Sequence, residues 1–152
     1  MTCTTASAQE TMECARTFAR DIACQQKPST ARVILLRGDL GAGKTTFVKG
    51  FLSYFGIVPH QASPTFVLMR RFVPTEENDA TGWVTHLYHI DAYRLSSFDD
   101  LNALQGKDVF SDSSGIVLLE WPEKLKGAAF DDTVTITFEH GEEENERRIT
   151  IG

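Results

Sequence analysis

Apolar residues recur at helical spacing early in the chain: Met12, Ala15, Phe18, Ala19, Ile22 and Ala23. Such a stripe lines one face of a helix. Ser7-Ala8-Gln9-Glu10 precedes it in the form of a capping box, with Ser7 as N-cap and Glu10 reaching back. The pattern predicts a helix over 9–25, stopped by Pro28. Residues 31–37 then form a short apolar run, rich in β-branched and aliphatic residues, that ends at Gly38. A run without alternation reads as a strand buried on both faces, as in parallel sheets. Beyond a glycine-rich turn, Phe47, Val48, Phe51, Leu52 and Phe55 make a second helical stripe, with Gly56 as its terminator.

Further along, 65–72 and 83–91 read as strands, joined by a polar connection over 73–82 that holds Pro, Asn, Asp and Gly. A short helix is expected over 99–104. Residues 115–120 form another buried strand, ending in Glu120. Val134, Ile136 and Phe138 alternate within 133–139, as do Ile149 and Ile151 within 147–151. These two strands predict a C-terminal hairpin around Gly141. Around the glycine-rich turn the order is strand, loop, helix, with a buried strand of the kind found in parallel sheets. With 152 residues and no repeat or linker, the chain reads as a single domain, 1–152, with 1–6 flexible.

Composition narrows the function classes. Hydrophobic residues at 41% and charged residues at 24% match a globular domain. No apolar run nears the roughly 20 residues needed to span a bilayer. Residues 1–9 lack the basic and apolar regions of a secretory signal. The net charge of −6 argues against an autonomous nucleic-acid binder. The acidic residues Asp131, Asp132, Glu142, Glu143, Glu144 and Glu146 read as a solvated turn. Cys3, Cys14 and Cys24 are odd in number and lack CxxC spacing, so neither zinc nor a disulfide framework is expected. A reducing cytoplasm fits that usage.

The glycine-rich turn carries the chemistry. Gly38-Asp39-Leu40-Gly41-Ala42-Gly43-Lys44-Thr45 matches the P-loop pattern G-x-x-x-x-G-K-[ST] at every fixed position. A chain of this length matches by chance roughly once in 200, and here the motif also lies between a buried strand and an amphipathic helix. The glycines let successive backbone N–H groups, from Asp39 through Thr46, converge on phosphate oxygens. The N-terminus of the following helix adds its dipole. Lys44 is expected to reach the β- and γ-phosphates, and Thr45 to give its hydroxyl to Mg²⁺.

A P-loop needs a carboxylate near the metal. Asp91 and Glu120 each end an apolar strand, where the ligand-binding edge of a parallel sheet lies. Both are candidate metal and catalytic residues, and their division of labour is open. Trp121 follows Glu120 directly, either as core or flanking the nucleotide. His86 and His89, three apart, fall on opposite faces of a strand and read as strand residues rather than metal ligands.

Four blocks occur in order: 38–46, Ser63-Pro64-Thr65-Phe66, His89-Ile90-Asp91-Ala92-Tyr93-Arg94-Leu95 and Glu120-Trp121-Pro122-Glu123-Lys124-Leu125. Together they resemble the bacterial TsaE family, over nearly the whole chain. That resemblance implies an α/β fold of the P-loop NTPase kind, a mixed and mostly parallel sheet flanked by helices. It implies an ATPase with ATP and Mg²⁺ as cofactors, weak alone and switched on by the TsaB–TsaD heterodimer. That pair places threonylcarbamoyl on the adenosine next to the tRNA anticodon. ATP turnover then resets the complex, and tRNA is met only through it. The resemblance also implies that Ser63 and Thr65 sense the γ-phosphate and that Thr11 packs near the adenine. Residues 99–113 match the family pattern only loosely, through Asp100-Leu101 and Leu104-Gln105-Gly106. Tyr93 and Arg94 are structural or face a partner.

Three other classes compete. A small-molecule kinase would need a lid carrying arginines, and 73–82 has none. A GTPase would carry Asn/Thr-Lys-x-Asp, which is absent from the chain. A non-catalytic nucleotide-binding scaffold would share the same loop.

Overall fold

The computed structural model describes residues 1–58, 68–75, 82–103 and 106–152. The elements in chain order are β1 (Thr2–Thr5), α1 (Ala8–Ala23), β2 (Arg32–Arg37), α2 (Lys44–Tyr54), β3 (Met69–Phe72) and β4 (His86–Asp91). They continue with α3 (Phe98–Asn102), α4 (Gly106–Ser111), β5 (Gly115–Glu120), β6 (Thr133–His140) and β7 (Arg147–Ile151). Short 3-10 turns, Ala92–Arg94 and Pro122–Lys124, follow β4 and β5.

The seven strands form one sheet in the order β1-β7-β6-β2-β5-β4-β3. Its centre, β6-β2-β5-β4, is parallel. The pairs β3–β4, β6–β7 and β1–β7 are antiparallel. The expected mixed sheet, flanking helices and C-terminal hairpin are all present.

The unbroken aliphatic strands are explained by two cores. Ile34 and Leu36 of β2, with Ile116 and Leu118 of β5, face α1 and α2. Val33, Leu35, Val117 and Leu119 face the opposite side, with Leu101 of α3 and Val109 of α4. Strand side chains alternate between faces, so only a strand covered twice can be apolar throughout. Phe18, Phe47 and Phe51 meet at tilted angles between α1 and α2, with ring centroids 6.0–6.1 Å apart. Gly50 permits that approach, because a Cβ there would lie 2.5 Å from Met12 Cα.

Ser7 caps α1 as expected, accepting from the Glu10 N–H. The Glu10 carboxylate reaches one residue further back than a capping box requires, accepting from Ala6 N at 2.9 Å. α2 ends at Tyr54, with Phe55 as its cap and Gly56 next.

Two expectations are revised. The N-terminus is strand rather than flexible tail, because β7 has an open edge and Thr2–Thr5 pairs along it, Cys3 opposite Ile149. β-branched threonines suit that role, and Thr5 is buried against Thr11. Cys3 on β1 is also paired in a disulfide with Cys14 on α1, their Cα atoms 7.4 Å apart, where the cysteine count and spacing predicted none. Cys24 is free and exposed.

Candidate functional site

The parallel centre brings three strand ends together. β2 runs into the glycine-rich turn, β4 ends at Asp91 and β5 ends at Glu120. In register, Glu120 lies beside Leu36 on one side and Asp91 on the other. The two carboxylates are thus neighbours at the mouth of the P-loop.

The turn leaves the start of α2 open. Gly43 is the N-cap, with φ 101°, a left-handed value that glycine adopts without steric cost. No side chain caps the helix and its first turn holds no acidic residue. Its first N–H groups, and the positive end of its dipole, are therefore free of an internal anion.

Lys44 folds back over this turn. Its Nζ donates to Gly38 O at 2.7 Å and Asp39 O at 2.8 Å. It also sits 3.9 Å from the Trp121 ring centroid. Burial pushes the Lys44 pKa below its ordinary value, against the opposing pull of Glu120, Glu123, Asp39 and Asp91. Trp121 is the one described non-glycine residue with positive φ, at 60°. Such a conformation is costly for a bulky side chain, and here it sets the indole against Lys44 and Tyr93, whose ring lies 5.2 Å away.

Thr45 donates to both oxygens of Glu120, at 3.0 and 3.1 Å. Glu120 is also the partner of His89, whose Nε2 is 2.9 Å from Oε1. Asp91 is turned differently, its Oδ1 accepting from the Tyr93 N–H and so capping the following 3-10 turn. Thr45, Glu120 and Asp91 supply only oxygen donors. That set suits Mg²⁺, which takes one or two carboxylates and leaves room for phosphate and water. No group of three or more His, Cys, Asp or Glu gathers among the described residues.

A cavity of about 280 Å³ is lined by Leu40, Gly41, Gly43, Lys44, Thr45, Thr46, Asp91, Tyr93, Glu120 and Trp121. Across Gly41, Gly43 and Thr46 it adjoins a smaller one of about 110 Å³, bounded by Ser7, Ala8, Thr11, Asn145 and Arg147. Most of the residues expected at the site therefore line one or other of these two adjoining cavities. Thr11 borders the smaller cavity, its hydroxyl 2.8 Å from that of Thr5. Asp39 and Ala42 line neither; Asp39 is exposed and Ala42 packs into the core. Ser63 and Thr65 lie outside the described residues.

Sequence reasoning missed Arg147 and Asn145. Arg147 Nη1 donates to Glu144 O at 2.8 Å and Glu146 O at 2.7 Å, and Nη2 donates to Gly41 O at 3.3 Å. It ties the β6–β7 hairpin to the P-loop. The available signal was a guanidinium directly behind an acidic run. His89, read as an ordinary strand residue, is a partner of Glu120.

Among the described residues no helix is long and apolar enough to cross a membrane. Residues 5–149 match the family profile described as threonylcarbamoyl adenosine biosynthesis protein TsaE. The chain is 32% identical over 151 residues to the tRNA threonylcarbamoyladenosine biosynthesis protein TsaE of Treponema pallidum, covering 99% of each. It is 35% identical over 119 residues to the protein of that name from Bacillus subtilis, covering 78% of this chain and 68% of the relative. A crystal structure of Bacillus subtilis YdiB superposes with a TM-score of 0.61 at 28% identity, covering 99% of this chain and 83% of that one. With a P-loop fold and a family match along nearly its full length, the chain belongs to the TsaE family of tRNA threonylcarbamoyladenosine biosynthesis.

Proposed function

We propose that this protein binds ATP with Mg²⁺ at the P-loop and hydrolyses it to reset the TsaB–TsaD pair in tRNA modification. The observation that carries this reading is the convergence of Lys44, Thr45 and Glu120 at the uncapped start of α2. The triphosphate lies along the glycine-rich turn, its oxygens accepting from the N–H groups of residues 39–46. Lys44 exchanges its two carbonyl partners for β- and γ-phosphate oxygens. Arg147 steadies Gly41 beside the smaller cavity, where Thr11 meets the base.

Mg²⁺ would be held by Thr45 and an acidic residue, and would supply neutralisation of the charge that develops on the phosphate oxygens. Once Thr45 turns from Glu120, that carboxylate is released to bind metal or to orient the attacking water. Asp91, beside it, acts through water. Water attacks the γ-phosphorus, the bond to the β–γ bridging oxygen breaks, and ADP and phosphate leave. Ser63 and Thr65 report whether the γ-phosphate is present. The negative net charge fits a subunit that meets tRNA only through its partners. The cytoplasm is the compartment for such a role.

Phosphate release from ATP, alone and with TsaB–TsaD added, tests the reading. Weak turnover that the pair stimulates supports it. Tight binding without turnover in either setting would make the protein a scaffold, and transfer of phosphate to a metabolite would make it a kinase.

A further inference from the structure

We propose that His89 is a positioning residue for Glu120: its Nε2–H holds one carboxylate oxygen so that the other is presented to the metal site. The inference rests on the reading of Glu120 as part of that site. His89 is 2% exposed and Glu120 is 3% exposed. Facing a carboxylate, Nε2 must be the donor, which assigns the proton to that nitrogen. Nδ1 is buried with no hydrogen-bond partner. A histidine serving only as filler would leave both nitrogens as polar burdens in a strand where leucine would pack. Here a single bond, 2.9 Å long and aimed at Glu120 Oε1, is what the imidazole adds.

The arrangement is asymmetric. Oε1 receives both His89 and Thr45, whereas Oε2 receives Thr45 alone. When Thr45 turns away, Oε1 remains anchored and Oε2 loses its donor. The carboxylate then keeps one orientation and offers one oxygen. Without His89 it can rotate about its terminal torsion, which is broad for a carboxylate. Partners of this kind typically tune metal affinity about 10- to 100-fold when removed.

The test compares binding of a fluorescent ATP analogue in Mg²⁺ and in EDTA. His89→Leu removes the donor at similar volume. His89→Gln carries an amide N–H near the Nε2 position, and His89→Asn stops short of it. We expect the Mg²⁺-dependent gain in affinity to fall about tenfold in the Leu and Asn variants. EDTA affinity should be unchanged, and the Gln variant should recover most of the loss. If the Leu variant fails to fold, the contrast of Gln with Asn carries the test. Equal losses in Mg²⁺ and EDTA, or a Gln variant no better than Asn, would overturn the inference. Glu120→Gln serves as the reference. If it loses the Mg²⁺ gain while the His89 variants keep it, the inference alone falls. If it too keeps the gain, the reading of Glu120 falls and takes the inference with it.

Discussion

Thr45 Oγ1 donates to both carboxylate oxygens of Glu120, at 3.0 and 3.1 Å. The hydroxyl on the first turn of α2 and the acid at the end of β5 hold each other across the candidate metal position. Replacing Thr45 with Val keeps the shape and removes the oxygen. Mg²⁺-dependent ATP affinity should drop by about tenfold or more, and turnover by about 100-fold. Affinity in EDTA should stay close to wild type. Titrations with and without Mg²⁺, paired with phosphate release, check this.

Lys44 Nζ rests 3.9 Å from the Trp121 ring centroid, so on the proposed reading phosphate binding should alter that contact. In a Trp83→Phe background Trp121 is the remaining tryptophan. Its emission should change when ATP is added, and adding Lys44→Ala should abolish that response. Lys44→Ala should also cost about 2 kcal/mol or more of binding, because the phosphate loses a charged partner. That is roughly 30-fold in Kd. Fluorescence titration reads both effects, and an unchanged Kd would count against the assignment.

The opposite end of the sheet supplies a pH prediction. Asp112 accepts from Tyr88 at 3.0 Å and from the Ser114 N–H at 3.0 Å, and lies 2.7 Å from His86 Nδ1. Burial pushes its carboxyl up, but the donors from His86, Ser114 and Tyr88 outweigh it and leave the pKa below 3.8. A depressed folded pKa means stability that is complete above the unfolded value and is lost as pH falls through the folded one. Asp112→Asn should therefore lower Tm at pH values above the range in which the unfolded carboxyl titrates. Its disadvantage should shrink as pH drops below 3.8. Melting curves of both proteins across that range check the sign.

Gly50 bears on stability. Its missing side chain is where α2 rests on the backbone of α1, so Gly50→Ala forces the two helices apart. A loss of about 1–3 kcal/mol is expected in urea unfolding, with m unchanged.

Much of this was legible in the sequence because periodicity and the P-loop are local signals. The two stripes gave α1 and α2, and the unbroken runs gave β2 and β5. Other features depend on contacts that span the chain. β1 is four residues long, too short for a pattern, and its partner is β7 at the other end of the sequence. The helix α4 has no clear stripe and was not anticipated. Arg147 reaches Gly41 only because β6 lies beside β2. The left-handed backbone of Trp121 has no glycine to announce it. His89 gains its partner only when β4 and β5 align, which spacing within one strand cannot reveal.

That alignment reaches beyond the site. Asp91 and Glu120 are opposite each other because β4 and β5 pair from His86–Gly115 upward without a bulge. Slipping one strand by a single residue turns every side chain to the other face. A slip of β5 would point Glu120 away from Thr45, and a slip of β4 would take His89 away from Glu120. On the proposed reading, nucleotide affinity doubles as a gauge of strand alignment. A core substitution that loosens the β4–β5 register should weaken ATP binding well before the protein loses its secondary structure.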